Sequence, residues 1–158
     1  MKELTILDTL TLSVPDRFRE MNESEKKSLR YVGSGPAAVL KSEEDHMIVN
    51  LGYKSLGRLM SSLFSEETLA KGAEKGIRKA SGAYGYRLLG FGECRVGGKT
   101  GTSFRYTYQV QGIDMAAECC VVKVNGTFFY LYVYYREERK EESCRIWKEI
   151  LERVRWAA

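Results

Sequence analysis

The pair Asn125-Gly126, set between two long runs of β-branched and aromatic residues, narrows most what this chain can become. Met115 to Val124 precedes it and Thr127 to Arg136 follows. A type I′ turn needs positive φ at both central residues, which asparagine and glycine tolerate, so the two runs are expected to form a hairpin. A two-residue loop also fixes the register. Val124 then faces Thr127, Val122 faces Phe129, Cys120 faces Leu131 and Glu118 faces Val133, all on one mostly aliphatic side. The other side pairs Val121 with Tyr130, Cys119 with Tyr132 and Ala117 with Tyr134. Neither face is polar, so layers are expected on both, at least in part.

The flanking sequence supplies further strands. Phe104, Tyr106, Tyr108 and Val110 alternate with Arg105, Thr107, Gln109 and Gln111, which predicts a strand with one wet face. Before it, Tyr84, Tyr86 and Leu88 lead into Gly90, Gly92, Gly97, Gly98 and Gly101, read as a bent strand and its turn. Leu4 to Leu7 and Thr9 to Leu12 read as a first strand, interrupted at Asp8 and ended by Pro15. Ala37 to Lys41 and Met47 to Leu51 read as two more, joined by the acidic turn Glu43-Glu44-Asp45.

Helical spacing marks four segments. Ser24 is expected to cap a short helix running through Leu29 to Val32 and ended by Gly33-Ser34-Gly35-Pro36. Leu56, Leu59, Met60, Leu63 and Phe64 suggest an apolar-faced turn or helix. Ser65 caps a clearer helix over Glu66 to Ala80, with Leu69, Ala73, Ile77 and Ala80 as its buried stripe and Gly82 as its stop. The last helix is predicted from Glu138 to Trp156, with Cys144, Trp147, Ile150, Leu151 and Val154 turned to the core. With no repeat, linker or low-complexity tract, residues 1–158 are expected to form one domain.

Several chemistries lack their residues. A 44% hydrophobic and 29% charged composition is that of a globular protein. No h-region follows Met1 and no run approaches the ~18 apolar residues of a membrane span, so a cytoplasmic address away from the membrane is expected. Cys94, Cys119, Cys120 and Cys144 include no Cys-x-x-Cys and have only His46 to join them, so reduced, mostly buried thiols and no metal are expected. Gly97-Gly98-Lys99-Thr100 is not a phosphate loop: Glu93 stands where its first glycine is required, and a strand follows instead of a helix. His46, beside an acidic turn, is the single imidazole available to a nucleophile pair. Glu118 is the one carboxylate among aliphatic neighbours, where burial would disfavour its charge. A salt bridge to the last helix or a place near the sheet rim is the competing expectation. No catalytic residue and no cofactor is expected.

Three features favour binding, the apolar Leu56 to Phe64 segment being one. Tyr130, Tyr132 and Tyr134, opposite small residues, outline a shallow aromatic face. The ribonucleoprotein aromatic motif is absent, which disfavours RNA stacking there. The net charge of +4 is concentrated in residues 71–105, where eight basic groups meet only Glu74 and Glu93. Lys71, Lys75, Arg78 and Lys79 fall at i, i+4, i+7 and i+8, a basic stripe for an acidic partner or nucleic acid, or simply a solvated helix face.

The order of elements resembles the PsbP/Mog-type fold family. The resemblance rests on Leu12-Ser13-Val14-Pro15-Asp16-Arg17-Phe18, the mid-chain helix, the Gly97-Gly98 hairpin and Phe104-Arg105-Tyr106-Thr107-Tyr108. It continues with Val124-Asn125-Gly126-Thr127-Phe128-Phe129-Tyr130-Leu131 and the final helix. It implies an α+β fold, an α/β/α sandwich around a central antiparallel sheet of about six to seven strands. Family members are mostly non-enzymatic binders: a photosystem extrinsic subunit, a nuclear import factor that binds the Ran GTPase, and bacterial Eag-type secretion chaperones. The resemblance thus implies a bacterial, non-catalytic adaptor or chaperone-like domain holding a protein partner; between monomer and homodimer the sequence does not choose. Nucleic-acid docking through the basic helix and an enzyme using Glu118 are the alternatives.

Overall fold

A computed structural model describes residues 1–27 and 37–157. The chain opens with strands β1 (Lys2–Ile6), β2 (Leu10–Val14) and β3 (Arg19–Glu20), helix α1 (Glu23–Lys27), then β4 (Ala38–Ser42) and β5 (Met47–Ser55). A short helix α2 (Gly57–Ser61) and a long one, α3 (Glu66–Ser81), cross to a meander of β6 (Arg87–Val96), β7 (Lys99–Val110), β8 (Ile113–Val124) and β9 (Thr127–Arg136). Helix α4 (Lys140–Glu152) and β10 (Arg155–Trp156) close the chain.

The β8–β9 hairpin forms as its turn requires. Asn125 and Gly126 have φ of 49° and 83°, and the register runs from Val124 opposite Thr127 to Met115 opposite Arg136. Around it stands a seven-stranded antiparallel sheet in the order β3-β4-β5-β9-β8-β7-β6. Its aliphatic face carries Val49, Leu51, Leu131, Val133, Cys120 and Val122 into the main core. There they meet Ile146, Trp147, Ile150 and Leu151 of α4 and Leu10, Leu12 and Val14 of β2. The opposite face puts Phe104, Tyr106, Cys119, Val121 and Phe128 under Ala70 and Ile77 of α3. Cys119 and Cys120 therefore enter different cores, and all four cysteines are free thiols.

The structure corrects four expectations. Residues Leu4 to Leu12 are not one interrupted strand: Leu7 and Asp8 adopt φ of 53° and 52°, turning β1 back on β2 in a separate sheet of order β1-β2-β10. Asn22, not Ser24, caps α1, its side chain accepting from the Glu25 N–H at 2.8 Å while Glu25 accepts from the Asn22 N–H. The rest of that predicted helix, and its stop at 33–36, lie outside the described residues. Helix α3 buries Ala70, Glu74 and Ile77 and leaves Ala80 exposed. Gly82 caps the end of α3 as expected, and a 3-10 turn over Gly82–Tyr84 then leads to Gly85, φ 70°. The last helix ends at Glu152, and Trp156 belongs to β10, which pairs with Leu10 of β2. The Trp156 Nε1 donates to the Val96 carbonyl at 2.7 Å, a tertiary contact that competes with helix continuation.

Helix α3 is anchored at both ends. Ser65 caps it by accepting from the Thr68 N–H at 3.1 Å, and Glu66 accepts from the Lys123 N–H of β8 at 2.8 Å. Further along, buried Glu74 accepts from the Arg78 guanidinium, and from the Tyr86 hydroxyl at 2.6 Å. The Arg78 hydrogen bonds hold the Glu74 carboxyl below the usual range; burial opposes them and the Tyr86 bond assists.

Two stability predictions follow from these contacts. A depressed folded pKa stabilises the protein fully above the unfolded carboxylate value of about 4.3, and that contribution fades as pH falls through the folded value. Glu74→Gln is expected to lower unfolding free energy at pH 7 by about 1–2 kcal/mol. The gap to the parent should narrow below about pH 4 in urea melts; a gap constant with pH contradicts the assignment. The β6–β7 turn offers a paired test. A Cβ on Gly97, φ 55°, would lie 2.3 Å from the Val154 carbonyl oxygen, whereas one on Gly98, φ 82°, meets nothing within 4 Å. Gly97→Ala should therefore cost about 3 kcal/mol and Gly98→Ala only about 1, read from the same melts.

Candidate protein-binding face

Residues of β9 point alternately into the two cores, and the Tyr130, Tyr132, Tyr134 set belongs to the α3 side. As expected, these rings face Val121, Cys119 and Ala117 on β8. On their other flank they face Gly52, Asn50 and Ile48 of β5. Helix α3 packs over β7 and β8, one strand to the side, so all three tyrosines stay half-buried. Tyr132 and Tyr134 stack with ring centroids 6.1 Å apart and planes 4° from parallel. Burial pushes the Tyr130 hydroxyl up to about 12 and raises Tyr132 and Tyr134 as well. At neutral pH the face thus presents neutral phenols on flat rings, suited to contact and hydrogen bonding rather than proton transfer.

One end of this face is walled by α2. Leu56 donates its N–H to the Gly126 carbonyl at 3.2 Å, and Lys123 of β8 donates its Nζ to the Ser61 carbonyl at 2.6 Å. Leu56 and Phe64 pack on the tyrosine-side core, as the helical spacing suggests. The intervening apolar residues do not. Leu59 is 82% exposed, Leu63 70% and Met60 48%. An exposed leucine alone is ordinary, but three large apolar side chains within five residues form a ridge.

The basic stripe is partly spent inside its own helix. Lys71 pairs with Glu67 at 3.0 Å and Arg78 with Glu74, while Lys75 and Lys79 are exposed with no acidic partner among the described residues. The tyrosines and the basic stripe do not form one site: the tyrosines lie beyond one flank of α3, the lysines toward the other and toward solvent.

Glu118 is paired in the way the competing expectation allowed, though to a neighbouring strand. It accepts from Arg105 of β7 at 2.6 Å, from the Trp147 Nε1 of α4 at 3.1 Å and from the Cys120 thiol at 3.4 Å. It lines neither the hollow beside Met1, Ser13 and Arg153 nor the one beside Leu4, Val14 and Leu40, and its contacts tie α4 to the sheet. Gly97-Gly98 is the tip of the β6–β7 hairpin. His46 is exposed in the β4–β5 turn at φ 53°. Among the described residues no three His, Cys, Asp or Glu side chains cluster as metal ligands, and no helix is long and apolar enough to cross a membrane. Sequence reasoning singles out the Leu56 to Phe64 segment but not which of its residues stay exposed, nor the exposed edge of β6, because both depend on where neighbouring elements dock.

No protein-family model matches the sequence, and no curated protein matches it. Solved structures do. A cyanobacterial PsbP from Synechocystis sp. PCC 6803 superposes with a TM-score of 0.71 over 99% of this chain and 92% of its own, at 10% identity. Mog1 gives 0.60 over 98% and 94%, at 10% identity. LpqN of Mycobacterium tuberculosis gives 0.58 over 94% and 83%, at 16% identity. At such identities the likeness is one of fold. Seven antiparallel strands, covered by α3 on one side and by α4 with a small sheet on the other, give this chain the α+β fold of the PsbP/Mog type.

Proposed function

We propose that this chain is a non-catalytic protein-binding domain, adaptor or chaperone-like, that works in the cytoplasm and holds its partner against the tyrosine side of the sheet. The observation that carries this reading is the α2 ridge, Leu59, Met60 and Leu63, standing exposed at the end of a face floored by half-buried tyrosines. Apolar and aromatic side chains in that arrangement supply the desolvated centre that protein interfaces depend on. Flat tyrosines lose little rotamer freedom on contact, and their hydroxyls keep hydrogen bonds in reach. The PsbP/Mog-type fold supports the same reading, since family members are mostly binders. Electrostatic docking through Lys71, Lys75, Arg78 and Lys79 is less well supported, because two of the four are already paired to acids of the same helix. An enzymatic reading through Glu118 loses its motive once that carboxylate is held by Arg105, Trp147 and Cys120.

Affinity purification of the tagged chain from its native organism, followed by mass spectrometry, should return a protein partner. The double variant Leu59→Glu, Leu63→Glu should retain its thermal midpoint, since exposed substitutions usually shift stability by about 0.5 kcal/mol or less. Its partner recovery is expected to fall at least about tenfold. Undiminished recovery by a folded double variant would refute this face as the site.

A further inference from the structure

We propose that the free edge of the seven-stranded sheet, strand β6, is a second docking site that accepts an acidic extended segment of a partner protein as an added strand. The two edges of the sheet differ. At one end β3 is two residues long, and Arg19 there is held by Glu25 and Glu43. At the other, β6 runs ten residues, and from Arg87 to Glu93 none is buried. The two-residue turn makes Val96 and Lys99 a hydrogen-bonded pair. Alternation then turns the N–H and C=O groups of Arg95, Glu93 and Phe91 outward, away from β7. Beside this row stand Leu89, 52% exposed, and Phe91, 40% exposed. On the opposite face Gly90 and Gly92 leave room for the side chains of an incoming strand. The bulge between Leu88 and Gly90 bounds the usable edge.

Charge selects the occupant. Part of the basic surplus of residues 71–105 lies at this edge. Arg87 and Arg95 lie on β6 and Lys99 closes its turn, with no carboxylate paired to any of the three among the described residues, whereas Arg105, opposite Gly90, is already held by Glu118. Glu74 reaches Tyr86, one residue before β6, so the flank of α3 carrying Lys75 lies on the same side, while Arg78 and Lys71 on that flank are already paired with Glu74 and Glu67. Glu93 is the single exposed carboxylate on the strand. A second copy of this chain is a poor occupant: antiparallel self-pairing centred on Phe91 sets Arg87 against Arg95, and centring on Glu93 sets that carboxylate against itself. An acidic strand gains both the backbone ladder and the charge. This inference stands apart from the tyrosine face and survives its failure.

The test uses the full chain, isotope-labelled, and a ten-residue peptide alternating valine and glutamate. Binding should slow hydrogen exchange at the Phe91, Glu93 and Arg95 amides at least about tenfold. A valine–lysine peptide should bind at least about tenfold more weakly. Glu93→Pro removes an outward donor while leaving the β7 ladder intact, and should abolish binding without loss of the parent chemical-shift pattern elsewhere. Arg87→Glu with Arg95→Glu should reverse the preference between the two peptides. The proposal is overturned if the β6 amides stay unprotected, if both peptides bind alike, if Glu93→Pro binds like the parent, or if only single-stranded DNA protects this edge.

Discussion

The register of the β8–β9 hairpin is the constraint on which the rest of the molecule depends. Asn125 and Gly126 hold positive φ at both central positions, and a slip of one residue would turn every side chain of the slipped strand to the opposite face. With the register as it stands, Val122, Phe129, Leu131 and Val133 meet α4 and β2, while Cys119 and Tyr132 meet the α3 side. The neighbouring strands inherit that division. Glu118 falls on the aliphatic side, yet Arg105 stands directly across from it on β7 and Trp147 reaches it from α4. A buried carboxylate is tolerable there only because each partner is delivered by an element that the hairpin has already oriented.

What could be read from the sequence divides along the range of the forces involved. The hairpin and the Ser65 cap are settled by sterics and hydrogen bonds within a few residues, and both stand where the sequence places them. The β1–β2 turn escaped because Leu7 and Asp8 carry positive φ without a glycine to announce it. Trp156 joins β2 because Leu10 and the Val96 carbonyl are there to receive it, which no local pattern encodes. Ala80 looks like stripe but is exposed, since Glu74 turns inward to Arg78 and Tyr86 and rotates the buried line of α3.

The candidate site shows the same split. Which tyrosines share a face follows from the turn alone, and Tyr130, Tyr132 and Tyr134 do share one. Their half-exposure follows from α3 lying over β7 and β8, an offset decided by where Lys123 catches the start of that helix. The exposure of Leu59 and Leu63 likewise follows from α2 being pinned by Gly126 and Lys123 with its outer side left bare.

The seam between β5 and β9 has a consequence for the order of folding. Strands β6 to β9 form a meander of short connections, whereas Ile48 pairs with Tyr134 and Ser55 with Thr127 across roughly half of the chain. Closing so long a loop costs entropy that local hairpins avoid, so this pairing is expected to form late. Tyr130, Tyr132 and Tyr134 sit on that seam beside Gly52, Asn50 and Ile48. A partner laid across the tyrosines would therefore bridge the two halves of the sheet where the chain itself joins them last. Its binding would register as slower opening of the whole domain.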